Sequence, residues 1–136
     1  MLREISITAE DGRALAAALY EPPPGANEAR PVTIIAGGAG IAQRYYGRFA
    51  AYLAEQGRPA LTFDYRDIGA SRTGSIVRSD VRMRDWCARD VPAVIAWATK
   101  TYPERPLHWV GHSRAASPPD LPTTTRWSRA SSTSRR

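Results

Sequence analysis

A serine hydroxyl becomes a useful nucleophile only where the chain presents it on a sharp turn, within reach of a base and of donors for the oxyanion it generates. Leu107-His108-Trp109-Val110 is an apolar, β-prone run, and Gly111-His112-Ser113 follows it directly. This order reads as a buried strand ending in a bend with Ser113 at its tip, the setting of a nucleophile. Gly111 and Ser113 match the first part of Gly-x-Ser-x-Gly, while Ala115 stands at the final glycine position. A second stretch with chemical potential is Gly37-Gly38-Ala39-Gly40, directly after the apolar run Val32–Ala36. It reads either as a donor-rich loop for an anion or as a plain tight connection. It lacks the closing Gly-Lys-Ser/Thr of a phosphate-cradling loop.

The other reactive side chains have plainer readings. His108 and His112 are the only histidines, and both precede Ser113. His112 adjoins the serine on a turn, so its ring is expected to point elsewhere, into packing or solvent. Asp64 and Asp85 are expected to fix loop and helix geometry. Trp86 and Trp97 are expected in the core, and Cys87 as a small buried hydrophobe.

The elements that must position these residues follow from periodicity. Glu4–Ala9 alternates with period two and reads as a strand. Asp11-Gly12 is a hairpin turn, with Arg13–Tyr20 returning until Pro22-Pro23-Pro24-Gly25 ends it. Val32–Ala36 and Ala60–Phe63 are short continuous apolar runs, as in strands buried on both faces of a parallel sheet. Gln43–Gln56 carries Tyr46, Phe49, Ala50 and Leu53 at helical spacing, with Gly57 placed to end the helix. Val81–Lys100 carries a second helical period through Trp86, Val91, Val94, Ile95 and Ala98, with Pro92 expected to kink it or open a new first turn. A hairpin followed by strand–helix–strand–helix–strand is an α/β pattern with a parallel core.

At 136 residues the chain has room for one domain. No apolar window approaches the length of a membrane span, the first residues lack the apolar region of a secretory signal, and a lone Cys87 precludes an internal disulfide. These features fit the cytoplasm. The net charge of +6 is uneven: five arginines against Asp120 follow Ser113, so four of the six charges belong to the last 23 residues. The basic balance therefore says little about the folded part.

The hairpin, the glycine-rich strand end, Asp64-Tyr65-Arg66-Asp67-Ile68-Gly69-Ala70-Ser71 and Gly111-His112-Ser113 together resemble the α/β-hydrolase superfamily, in the branch of serine aminopeptidases and monoglyceride lipases. The resemblance runs from Ile5 to Ser113. Asp67 replaces a usual glycine of Asp-x-Arg-Gly-x-Gly-x-Ser, and Ala36 stands where many members have histidine. The resemblance implies Ser113 as nucleophile, with the backbone amides of Gly38 (Ala39 being the neighbouring candidate) and Arg114 as oxyanion hole. It implies ester, thioester or amide hydrolysis of a small-molecule acyl substrate, with no cofactor, no metal and no nucleic acid. It also implies that the acid and the histidine of the triad follow the serine, so this chain is expected to lack them and to be catalytically incompetent.

After Ser113 the character changes. Ala115-Ala116-Ser117-Pro118-Pro119 cannot begin the long helix that follows a nucleophile turn, and Ser, Thr, Arg and Pro dominate to Arg136. The sequence thus divides into residues 1–113, a partial α/β-hydrolase domain, and residues 114–136, a tail expected to be disordered. A single-base deletion after the Ser113 codon is the expected origin of the break, because a chosen synonymous coding read in the adjacent frame restores the glycine and an apolar helix. A different reading makes the chain a non-catalytic binding module whose basic tail meets nucleic acid or an acidic partner.

Overall fold

A computed structural model describes residues 2–38, 40–72, 81 and 83–112. Ala39, Ser113, Arg114 and the whole tail lie outside the described residues. Five strands form one mixed sheet: β1 (Leu2–Thr8), β2 (Ala14–Tyr20), β3 (Val32–Ala36), β4 (Ala60–Phe63) and β5 (Leu107–Gly111), in the spatial order β1-β2-β4-β3-β5. The leading hairpin is antiparallel, with Ile5 opposite Ala17. β2 runs antiparallel to β4, and β3 is flanked by parallel β4 and β5, with Ile34 level with both Leu61 and Trp109.

Period-two alternation separates two cores. Val32, Ile34 and Ala36 of β3 face one way, with Leu61, Phe63, Leu107 and Trp109. They pack on Val91, Val94, Ile95 and Ala98 of a helix, α3 (Val91–Thr101). Ile35 faces the other way, onto Tyr46, Ala50 and Leu53. The last two belong to α1 (Gly47–Glu55), so the sheet lies between helices. Every residue of β3 and β4 is buried, as expected of strands covered on both faces.

Two helices depart from the sequence expectation. The segment from Gln43 opens with a 3₁₀ turn over Gln43–Tyr46, and only then does α1 begin. Phe49, expected in the buried stripe, is 43% exposed, because α1 turns Ala50, Leu53 and Ala54 to the sheet instead. The second helix is interrupted: α2 (Met83–Asp85) leads into a π turn over Trp86–Asp90, and α3 starts at Val91. Pro92 lies in the first turn of α3, where its missing N–H costs nothing, and the wider turn before it carries the Val91 N–H back to the Trp86 carbonyl. Cys87 is only half-buried, at the edge of the core with Trp86 and Trp97.

The loop after β4 is densely bonded to the leading hairpin and to the helical segment before α3. Arg66 is buried, and its Nε donates to Asp90 at 2.7 Å while its terminal nitrogens donate to Asp11 at 2.7 and 3.2 Å. Arg89 reaches the same Asp11 carboxylate at 3.1 Å. Asp67 adopts φ 62°, the left-handed conformation that explains a usual glycine there, and its carboxylate is paired with Arg13. An Asp tolerates that conformation better than most side chains.

The Arg66 guanidinium holds the Asp11 carboxyl well below the usual carboxylate range. A carboxyl depressed in the folded state stabilises above its ordinary value of 3.8 and loses that contribution as the pH falls. Urea midpoints of the wild type should therefore drop on acidification below that value. Asp11→Asn should be less stable at neutral pH and show a shallower acid limb. Identical limbs for the two proteins would contradict the assignment.

Candidate active site

β3 and β5 are parallel neighbours in register, with Ala36 beside Gly111, so both end at the same edge of the sheet. The ladder continues one residue further, the His112 N–H donating to the Ala36 carbonyl at 3.0 Å. The chain leaving β3 as Gly37-Gly38 therefore meets the chain leaving β5 toward Ser113. Ends of parallel strands beside a glycine-rich loop are where open α/β sheets gather their reactive groups.

Tyr46 joins the two. Its hydroxyl oxygen accepts the Gly38 N–H at 2.9 Å and lies 2.7 Å from His112 Nδ1. Burial pushes the Tyr46 phenol above its ordinary range, so it keeps its proton, and the Gly38 N–H only partly offsets this. Tyr45 lies over the His112 ring with centroids 6.2 Å apart and planes 13° from parallel. The His112 ring does point to packing partners, but also to a specific hydroxyl. Gly37 leaves room for this arrangement: a Cβ there would stand 2.8 Å from the Tyr46 ring.

Asp64 anchors the other side of the loop. It accepts the Gln43 N–H at 2.7 Å, Gln43 Nε2 at 3.0 Å and the Ala70 N–H at 3.1 Å. Thr62 donates to Gln43 Oε1 at 2.9 Å. Asp64 thus fixes loop geometry, as the sequence suggested, and it fixes the turn that carries Tyr46. Asp85 lies on the far helix, 3.9 Å from Arg89. Among the described residues no three His, Cys, Asp or Glu side chains gather as metal ligands, and no helix is long and apolar enough to cross a membrane.

Of the expected site residues, Gly38 lies at the strand ends with its amide directed at Tyr46, while Ser113 and Arg114 lie outside the described residues. Sequence reasoning missed Tyr46, which it counted as an apolar position of a helix. The available signal was that a tyrosine in a core needs a partner for its hydroxyl.

The arrangement of strands has clear counterparts among solved structures. A monoglyceride lipase of Saccharomyces cerevisiae, solved as a soluble variant with a substrate analogue, superposes with a TM-score of 0.67 at 20% identity, over 83% of this chain and 37% of its own. An esterase of Pyrococcus furiosus gives 0.64 at 22% identity, over 85% and 41% of the two chains. An α/β serine hydrolase without a lid from Xanthomonas campestris gives 0.62 at 23% identity, over 84% and 51%. The chain has the α/β-hydrolase fold. It spans well under two thirds of the solved chains it matches, between 37% and 51% for these three. No family model and no curated protein matches the sequence.

Proposed function

We propose that Ser113 is the nucleophile of a serine hydrolase that transfers an acyl group to water. The observation that supports this reading is the meeting of the β3 and β5 ends, which sets the glycine loop after β3 beside His112, the residue before Ser113 in the sequence. In this reading Ser113 attacks the carbonyl carbon of a small-molecule ester, thioester or amide in the cytoplasm. The backbone amides of Gly38 and Arg114 face the developing oxyanion. A histidine downstream of the serine takes the Ser113 proton and returns it to the leaving group. The names of the esterase and lipase neighbours support this class.

Both histidines of the chain precede Ser113, so the 136-residue chain is proposed to be inactive, with residues 114–136 a tail read out of frame. Sequencing the DNA around the Ser113 codon tests the second point. Restoring one base there and expressing the longer product tests the first. That product should react with a fluorophosphonate probe, Ser113→Ala should abolish the labelling, and the 136-residue chain should stay unlabelled. Labelling of the longer product that survives Ser113→Ala would overturn the reading.

A further inference from the structure

Two side chains, Tyr46 and His112, and the Gly38 N–H meet where β3, the Gln43–Tyr46 turn and β5 converge, and neither packing nor the reaction above accounts for their polar contacts. A tyrosine hydroxyl has one proton and two lone pairs. The Gly38 N–H at 2.9 Å takes one lone pair, and His112 Nδ1 at 2.7 Å stands within reach of the proton or of the second lone pair, as the imidazole tautomer dictates. Tyr46 is only 8% exposed and rests on Ile35, Ala50 and Leu53, so its ring is not free to swing away. Gly37 has no Cβ where that ring passes.

We propose that Tyr46 is a positioning residue of this site: its phenol oxygen orients the Gly38 N–H, its proton goes to His112 Nδ1, and the pair holds the glycine loop to the strand end that leads into Ser113. His112 thereby carries its own proton on Nε2. Tyr45 stacked on the ring and the His112 N–H bonded to the Ala36 carbonyl hold the imidazole in the plane this requires. An oxyanion arriving beside Ser113 would have to share the Gly38 N–H with the Tyr46 oxygen as a three-centre bond. The role in catalysis rests on the serine-hydrolase reading, whereas the clamp itself does not.

The test uses the full chain labelled with ¹⁵N. Long-range correlations from the imidazole should show His112 with Nδ1 as acceptor and Nε2 protonated. In Tyr46→Phe, which keeps the ring and loses the hydroxyl, that tautomer preference should disappear. The Gly38 amide should then exchange about five- to tenfold faster, the loss expected of one hydrogen bond. A ring that serves packing alone would leave both signals as in the wild type, and that result overturns the proposal. Should Tyr46→Phe fail to fold, His112→Asn and His112→Leu read the same contact. Asn offers an acceptor near the place of Nδ1 and should keep the Gly38 amide protected, whereas Leu should not; equal exchange in the two would also overturn it. Ser113→Ala should leave the His112 tautomer unchanged. A probe-inert, frame-restored protein with the tautomer signature intact would sink the nucleophile reading and spare the clamp.

Discussion

Arg66→Met is expected to lower the folding free energy by about 3–5 kcal/mol, the cost of leaving a buried partner charge uncompensated. The partner is Asp90, fully buried, which accepts the Arg66 N–H at 2.8 Å and its Nε at 2.7 Å. Burial already pushes the Asp90 carboxyl above its usual range, against the pull of the Arg66 N–H and guanidinium. Without the guanidinium it rises further, and the folded protein keeps a proton that the unfolded chain releases above 3.8. A carboxyl raised in the folded state contributes most below that value and loses its contribution as the pH climbs toward the folded value. The Arg66→Met deficit should therefore be smaller in acid than at neutral pH, the same direction as the Asp11→Asn deficit, whose carboxyl Arg66 also holds down. Arg66→Met combined with Asp90→Asn should recover part of the loss, since no charge is then buried alone and the amide oxygen can still accept the residue-66 N–H. Urea denaturation of the four proteins closes the cycle. A deficit under about 1 kcal/mol at pH 7, the size of a surface pair, would mean the pair is not desolvated as its burial indicates.

The strands were legible because each kind leaves its own pattern. β1 alternates, the Asp11-Gly12 turn announces the returning β2, β3 and β4 are continuous apolar runs, and Pro22 to Gly25 punctuates them. The helices were legible in existence and less so in detail. Phe49 falls on the helical period with Tyr46 and Ala50, yet α1 is short and preceded by a tighter turn, which rotates Phe49 outward. Pro92 announced a break but not its form, because a kink and a widened turn both accommodate a residue without an N–H. The site was legible only in its backbone. Glycine loops and strand ends have sequence signatures. The pairing of Tyr46 with His112, 66 residues away, is set by strand register and has no local pattern. Asp67 was noted as a departure from glycine, and its left-handed φ with Arg13 as partner shows how the loop keeps its shape without one.

Gly69→Ala is expected to be strongly destabilising. Gly69 has φ +51°, and an added Cβ would stand 2.7 Å from both Cγ and Oδ1 of Asp64. The left-handed conformation alone costs an alanine about 1–2 kcal/mol. Forcing an extra carbon into a packed site adds about 1–3 kcal/mol. The second contribution operates because Asp64 cannot yield: its carboxylate is held by two donors from Gln43 and by the Ala70 N–H. Gly12 supplies the comparison, since it has φ +87° and an added Cβ would meet nothing within 4 Å. Gly12→Ala should show the conformational cost only, and the difference between the two variants in denaturant midpoint isolates the clash. The damage should also travel. Moving Asp64 releases Gln43, which begins the turn that aims Tyr46 at Gly38, so Gly69→Ala should speed exchange of the Gly38 amide while Gly12→Ala leaves it alone. Equal midpoints for the two variants would show that the Asp64 carboxylate gives way freely, and that the turn carrying Tyr46 takes its geometry from elsewhere.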